Sequence, residues 1–336
     1  MTSDILSNNP PMERRSPALT ANDRALGLRR QVVTTSWGRV IVRASAATGG
    51  TATILLHGAA GSWTTWTPLL LAAERSGNPL TNVVAIDLPG WGESRAPASG
   101  LDAARLSRVV CEVAGALGYR RWIVVGHSLG GFVALDLAAC APSHAAGVLL
   151  ISPSGPAVID AIRHTVRGWV TLPGFAGMLL IMHLLARLGA VGAHLVRALN
   201  SAGILRVLSA PLFAEPAHVH HSVIDAFSEE LRPRAFIDAA RAAAAYDVST
   251  WRAITCPVLA VRGGRDLFVR DSDCTEFAKL IPDFTQVTVH TAGHFAAIEQ
   301  PDAVLDTIRL LAQLDKRPST AETVPGGVDK RWDVNS

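Results

Sequence analysis

The 336-residue sequence is poor in cysteine. Its four cysteines are scattered, with no C-x-x-C spacing, at Cys111, Cys140, Cys256 and Cys274. Disulfide scaffolds are short and dense in cysteine, so the pattern argues against one and favours reduced, mostly buried thiols. The first twenty residues also lack the apolar run of a secretory signal, which predicts a cytoplasmic location.

The sequence also lacks a large excess of basic over acidic residues or the reverse. The 31 basic and 28 acidic residues leave a net charge of +3, which argues against a nucleic-acid partner. There is no glycine-rich dinucleotide fingerprint and no phosphate loop, so no cofactor is expected. Histidines at 218, 220 and 221 come without a companion carboxylate motif and predict a solvated helix face rather than a metal site.

Apolar residues are abundant, at 49% of the chain, and they are organised. A hairpin is predicted at 31–46, turning at Trp37-Gly38. Short runs of Val, Ile and Leu then alternate with helical segments; the runs lie at 51–58, 82–90, 121–126, 146–152, 256–264 and 284–290. This alternation predicts an α/β fold with a mostly parallel sheet flanked by helices on both faces.

No strand is predicted between residues 155 and 250. That region is helical in pattern, with breaks such as Pro173-Gly174. The sequence therefore predicts an α/β core, formed by 29–154 and 251–315, into which a helical cap is inserted. The polar ends are predicted to be a loose N-terminal arm and a polar C-terminal tail, at 1–28 and 316–336.

A serine stands between glycines where a buried strand becomes a helix, in WIVVGHSLGGFVALDLAA at 122–139. G-x-S-x-G in this context is the signature of a nucleophile elbow. The tight turn strains the backbone of Ser128, and Gly126 and Gly130 relieve the crowding around it. The helix behind it directs backbone N–H groups at any anion that forms there. A serine that merely caps the helix is the alternative interpretation.

A serine nucleophile needs a base, and the base needs an orienting group. Asp266 directly follows the strand PVLAVRGG, and His294 follows the strand FTQVTVH. Both are therefore expected at the carboxyl end of the sheet, where Ser128 also lies. The chain order Ser, acid, His is that of the α/β-hydrolase arrangement.

Other polar residues follow the same strands. His290 is an alternative base, and Asp271 or Asp273 is an alternative acid, although both acids lie past the turn at a helix start. His57 and Asp87 are predicted to hold their loops by hydrogen bonds rather than to react.

Together these motifs resemble those of the α/β-hydrolase superfamily, in the branch of esterases, lactonases, cofactor-free haloperoxidases and carbon–carbon bond hydrolases. The resemblance rests on HGAAGSWTTW, DLPGWGES, GHSLGG, GGRDLFV and GHF, and covers about 30–155 and 250–313. It implies that Ser128 is the nucleophile, His294 the general base and Asp266 the orienting acid. Serine in place of aspartate at the nucleophile position argues against haloalkane dehalogenases and epoxide hydrolases.

An oxyanion hole needs two N–H donors. The first is expected from Leu129, directly after the nucleophile. The second is expected from Ala59, with Ala60 as the alternative, in a loop that lacks the Gly-Gly pattern of many lipases. The side chains predicted to contact substrate are Trp63, Trp66 and Phe295.

The cap carries an uncharged run of 19 residues, 168–186. This is close to the roughly 20 residues that span a bilayer. A span would separate Ser128 from Asp266 and His294, so we expect the run to cover the site instead. Between 155 and 210 five arginines face one acid. That composition suits a lid over an acyl chain and equally suits contact with a membrane surface.

The sequence thus predicts a serine hydrolase that forms an acyl-enzyme. Its substrate is expected to be a small to medium, largely apolar ester, lactone or thioester. A cofactor-free perhydrolase or carbon–carbon bond hydrolase would use the same triad, and a non-enzymatic ligand-binding protein on this fold is a further alternative. The complete Ser, Asp and His set argues against the last.

Overall fold

Eight strands form one sheet in the computed structural model, which describes residues 15–95 and 101–315. The spatial order is β1-β2-β4-β3-β5-β6-β7-β8. The strands are β1 (Leu28–Thr35), β2 (Gly38–Ser45), β3 (Ala52–Leu56), β4 (Val83–Ile86), β5 (Trp122–His127), β6 (Ala145–Ile151), β7 (Val258–Gly263) and β8 (Phe284–Val289). The hairpin β1–β2 is antiparallel and joins β4 antiparallel, whereas all later pairings are parallel. The predicted mostly parallel sheet is confirmed.

Six core helices cover the sheet. They are α1 (Thr67–Arg75), α2 (Ala103–Ala116), α3 (Leu129–Cys140), α11 (Asp271–Leu280), α12 (Ala296–Glu299) and α13 (Pro301–Asp315). Helices α2, α3 and α11 pack on one face of the sheet, and α1, α12 and α13 pack on the other. Successive residues of a strand point to opposite faces, so Ile54 and Leu56 join the first cluster and Leu55 joins the second. Both faces are buried, which explains the continuous apolar runs in the sequence.

Seven helices lie between β6 and β7. They are α4 (Pro156–Arg163), α5 (Thr165–Thr171), α6 (Pro173–Leu188), α7 (Ala190–Ser201), α8 (Ile204–Ser209), α9 (His221–Glu230) and α10 (Pro233–Ala245). Proline begins α4, α6 and α10, where its missing N–H would have no partner within the helix. Gly189 separates α6 from α7 with a positive φ of 54°. We call α4–α10 the cap.

The chain before β1 is attached to the cap. The Ser16 N–H donates to the His218 carbonyl at 2.8 Å, and Leu26 is buried. The described part of the predicted loose arm is therefore held in place, because its backbone and apolar groups find partners on the body. The rest of the arm, 1–14, and the tail, 316–336, lie outside the described residues.

No helix within the described ranges combines the length and apolarity needed to cross a bilayer. The apolar run of the cap is divided between α5 and α6, and α6 has 16 residues. At 1.5 Å per residue it is about 24 Å long, shorter than a bilayer core of about 30 Å.

Candidate active site

Ser128 occupies a strained turn between β5 and α3. Its φ is 51° and its ψ is −112°, a conformation that residues other than glycine rarely adopt. A Cβ on Gly126 would collide with the Gly130 carbonyl, and one on Gly130 would collide with the Leu56 carbonyl. The two glycines therefore let strand and helix approach closely enough to present the serine at the strand end, as the sequence predicts.

Asp266 and His294 form a buried pair. The His294 Nδ1 lies 3.0 Å from Asp266 Oδ2 and 3.2 Å from Oδ1. Burial alone would raise the pKa of Asp266, but charge attraction and hydrogen bonding from His294, with the Phe268 N–H, outweigh it and lower the pKa to about 2. The carboxylate is thus ionised at neutral pH. It fixes the proton on Nδ1 and leaves Nε2 of the imidazole as the basic atom.

A single cavity brings the predicted groups together. Ser128, His294, Leu129 and Ala59 all line it, whereas Ala60 does not. Leu129 is the first residue of α3, so its N–H has no acceptor within the helix.

Trp91, which sequence reasoning did not single out, holds the peptide unit between Ala59 and Ala60. Its indole Nε1–H donates to the Ala59 carbonyl at 2.6 Å. Trp91 is fully buried. Its hydrogen bond sets the orientation of the loop after β3, from which the second oxyanion donor is expected.

The alternative acids and base are occupied elsewhere or lie away from the cavity. Asp273 accepts from the Ala157 N–H at 2.7 Å and so joins α11 to the start of α4. Asp271 is exposed and pairs with Arg262 at 2.8 Å. His290 is exposed at the end of β8. None of the three lines the cavity.

His57 and Asp87 hold loops, as predicted. The His57 Nδ1 lies 2.7 Å from the Gly58 carbonyl, and Nε2 accepts from the Leu88 N–H at 3.0 Å. Burial lowers the pKa of His57, which keeps the ring neutral. Asp87 accepts from the Trp63 N–H at 2.8 Å and so joins the loop after β4 to the loop after β3.

Trp63 and Trp66 are predicted to contact substrate, yet neither side chain lines this cavity. They form a 3₁₀ turn that leads into α1, and the fully buried Trp66 packs with Leu69 of that helix on the opposite face of the sheet. The Trp63 ring lies under the guanidinium of Arg43, 5.0 Å from its centroid.

Phe295, predicted for the same role, does not line this cavity either. It packs behind His294 and away from the cavity, with its ring 5.0 Å from Phe227 of α9 and 5.5 Å from Phe213. Phe295 directly precedes α12, and its side chain points into the apolar interior of the cap.

The cavity walls are apolar. The core contributes Phe132, Phe268 and Val269, and the larger cap residues are Val158, Ile162, Phe175, Met178 and Phe236. No Asp, Glu, Lys or Arg within the described part of the chain lines it, and its volume is about 50 Å³. That is well below the roughly 300 Å³ at which ordinary ligand pockets begin.

Two buried groups that sequence reasoning missed support the His294 loop. The His127 Nε2–H donates to the His294 carbonyl at 3.0 Å, and burial lowers the pKa of His127 to about 3. Glu299 accepts from the Gly293 N–H at 2.9 Å and from the Ala214 N–H of the cap at 2.7 Å. Burial raises the pKa of Glu299. The histidine loop and the cap are thus joined through one carboxyl group.

Two of the three clustered histidines have polar partners, and the ring of the third, His221, lies 4.1 Å from that of His220. His218 pairs with Glu215 at 2.6 Å, and His220 bonds the Ser222 hydroxyl at 2.9 Å. Over residues 15–95 and 101–315, no three His, Cys, Asp or Glu side chains converge on a common point where a metal ion could bind.

Comparison with known proteins identifies the family of this chain. A model described as the alpha/beta hydrolase family matches residues 53–307. An esterase of Mycobacterium tuberculosis is 27% identical over 78% of this chain and 83% of that protein. A thermophilic esterase from Thermogutta terrifontis superposes with a TM-score of 0.64 at 21% identity, over 85% of this chain and 99% of that chain. At this identity the structural likeness supports the fold alone.

Other relatives match over shorter stretches. The chain is 38% identical to the dihydrolipoyllysine-residue acetyltransferase component of the acetoin-cleaving system of Pseudomonas putida, over 109 residues. That stretch is 32% of this chain and only 28% of the relative, so the chain corresponds to less than a third of that protein.

Proposed function

The chain belongs to the alpha/beta hydrolase family, and we propose that it is a serine hydrolase of carboxylic esters, thioesters or lactones with a neutral, apolar acyl group. The observation that carries the proposal is the composition of one cavity. Ser128 and His294 share it with Ala59 and Leu129, whose N–H groups are the expected oxyanion donors, while Asp266 holds the far side of the imidazole. Nucleophile, base, orienting acid and oxyanion donors are thus available around one reacting carbonyl.

The reaction proceeds by acyl transfer. His294 Nε2 takes the proton of the Ser128 hydroxyl as its oxygen attacks the substrate carbonyl, and the Leu129 and Ala59 N–H groups receive the oxyanion. The imidazolium returns its proton to the departing alcohol or thiol. Water, deprotonated by His294, then attacks the acyl-enzyme carbonyl; as the bond from Ser128 Oγ to the acyl group breaks, His294 returns that proton to Oγ and the acid is released. Asp266 stays ionised throughout, because its pKa is about 2.

The walls limit the acyl group. Within the described residues the cavity has no Lys or Arg side chain, so a carboxylate on the acyl chain would be buried without a partner. Burial of an unpaired charge costs several kcal/mol. A neutral chain instead replaces water against Phe175, Met178 and Phe236, and gains free energy with every buried methylene.

A series of p-nitrophenyl esters tests the proposal. We expect turnover of the acetate, butyrate and hexanoate, and a kcat/KM lower by about 100-fold for a chain of similar length that ends in a carboxylate. Ser128→Ala serves as the control. Wild-type protein that is folded yet hydrolyses none of the esters, or turnover that Ser128→Ala retains, would overturn the proposal.

A further inference from the structure

The outward side of the cap is unusually apolar. Twelve of the fifteen large apolar side chains that the described residues leave exposed lie in α5–α8. We call these exposed side chains, all between residues 166 and 208, the outer cap face. Val166 and Val170 of α5 are 82% and 80% exposed, and Val207 of α8 is 72% exposed. A monomer surrounded by water rarely exposes so large an apolar surface.

Helix α6 shows how this surface arises. One side carries Phe175, Met182 and Leu185, which are buried against the rest of the cap. The other side carries Ile181, Leu184 and neighbouring leucines, each about half exposed. A helix that is apolar all round is normally covered on every side. The outer side of α6 is not covered by any described part of this chain.

Neighbouring helices extend the same surface. Helix α5 packs against α6, α6 against α7, and α7 against α8. A Cβ added to Gly177 of α6 would lie 3.9 Å from the ring of Trp169 of α5, which is 46% exposed. Four consecutive helices therefore expose apolar residues while their opposite sides pack inward.

The charged side chains of α5–α8 are of one sign, although Asp160 of α4 pairs with Arg167 at 3.2 Å. Residues 161–214 contain five arginines and no aspartate or glutamate. Arg187 and Arg197, at the end of α6 and within α7, are exposed beside the apolar side chains. An apolar helix surface bordered by arginine is complementary to anionic lipid, whose acyl chains receive the apolar groups and whose phosphates pair with the guanidinium groups.

A second copy of the chain fits this surface less well. A two-fold interface uses the same patch on both subunits, and 161–214 offers arginines but no Asp or Glu to pair with them across it. Like charges brought together across an interface oppose association.

We propose that the outer cap face docks onto the surface of an anionic bilayer, with α6 lying along the interface rather than crossing it. The inner side of α6 contributes Phe175 and Met178 to the cavity, so docking sets one wall of that cavity beside the lipid. Acyl esters dissolved in the membrane are then the substrates nearest to the site; this last step rests on the proposed function.

Vesicle flotation tests the docking. The full-length protein is mixed with vesicles of phosphatidylcholine alone, or with about 30% phosphatidylglycerol, at about 0.1 M salt. We expect at least ~10-fold more bound protein on the anionic vesicles. The double variant Ile181→Asp, Leu184→Asp should lose at least ~10-fold of that binding. Leu310→Asp, at a 45% exposed site on α13 of the core, is the matched control and should bind as wild type.

A charge-reversal pair examines the electrostatic part. Arg187→Glu with Arg197→Glu should abolish the preference for phosphatidylglycerol, whereas Arg39→Glu on β2, also exposed, should keep it. Hydrolysis of p-nitrophenyl acetate reports folding and an intact site, and should be unchanged in every variant.

Three results would overturn the docking. The first is that wild-type protein does not float with anionic vesicles, and the second is that Leu310→Asp weakens binding as much as the double variant. The third is that sedimentation shows a dimer, which the double variant converts to a monomer. Ester turnover without flotation contradicts the docking alone, and flotation without turnover contradicts the proposed function alone.

Discussion

Helices α3 and α6 have similarly apolar sequences and opposite surroundings. In α3, from Leu129 to Cys140, every residue except the last is buried, because the sheet lies on one side and α2 and the chain before β7 lie on others. In α6, from Pro173 to Leu188, only Phe175, Met182 and Leu185 are buried. An apolar sequence therefore permits a helix to be buried, but it does not show which part of the molecule or which partner covers the helix.

This difference in burial between α3 and α6 corresponds to different roles of the core and the cap. In the core, complete burial fixes Ser128 at the start of α3, where strain and helix geometry can be maintained by packing on both faces of the sheet. In the cap, one side of α6 forms the cavity wall and the other remains available for a partner. Substitutions in the core should affect chemistry, and substitutions in the cap should affect which substrates arrive and fit.

The largest effect is expected at the start of α3. Ser128→Ala should lower kcat by about 10⁴-fold or more with the fold retained, because the nucleophile is lost. Ser154→Ala is a matched control, since Ser154 lines the same cavity but is not assigned to the triad. Rates on p-nitrophenyl butyrate provide the measurement. A fall at Ser154→Ala equal to that at Ser128→Ala would refute the assignment.

A smaller loss is expected from the orienting acid. Asp266→Asn should lower kcat by about 10²–10⁴-fold, because the amide favours the wrong imidazole tautomer. Asp273→Asn should reduce thermal stability more than kcat, since Asp273 joins α11 to α4 and does not contact His294. If Asp273→Asn removes activity and Asp266→Asn does not, the acid has been chosen wrongly.

The two sides of α6 can be compared by placing a tryptophan on each. Met178→Trp fills the cavity and should lower the ratio of kcat/KM for hexanoate over acetate by about 10-fold. Leu180→Trp lies on the exposed side and should leave that ratio unchanged. Initial rates on the two esters suffice. Equal shifts from both variants would contradict the division of α6 into a cavity side and an outer side.

The smallest effect concerns acid stability. The folded pKa of Asp266, about 2, lies below the value of the free side chain. Its ionisation therefore stabilises the fold above about pH 4, and this contribution is lost as the pH falls toward about 2. The loss of unfolding free energy between about pH 5 and pH 2.5 should be smaller in Asp266→Asn by about 1–2 kcal/mol. Urea titrations at both pH values measure it, and parallel losses in both proteins would contradict it.

Local sequence patterns were sufficient to predict the sheet and the positions of Ser128 and Asp266 at its carboxyl end. Strand periodicity and the glycines around Ser128 predict the turn directly, and the position of Asp266 immediately after β7 separates it from Asp273, one helix start further on. These features depend on neighbours in sequence, so a single chain is enough to find them.

Features that depend on how elements rotate were not accessible. Trp63 and Trp66 stand beside the oxyanion loop in sequence, yet the 3₁₀ turn directs them to the other face of the sheet. Met178 and Leu180 are indistinguishable in an uncharged run, although one lines the cavity and the other is half exposed. Glu299 gives only a weak signal, a single acid at the end of an apolar turn.

The central claim is that Ser128 is an activated nucleophile facing the cavity. A fluorophosphonate reacts with such a serine and with few others. Intact mass followed by peptide mapping should show one adduct per chain, on the peptide that contains Ser128, and labelling should fall steeply in His294→Ala. Folded wild-type protein that takes up no label, or an adduct on another residue with Ser128 unmodified, would contradict the account.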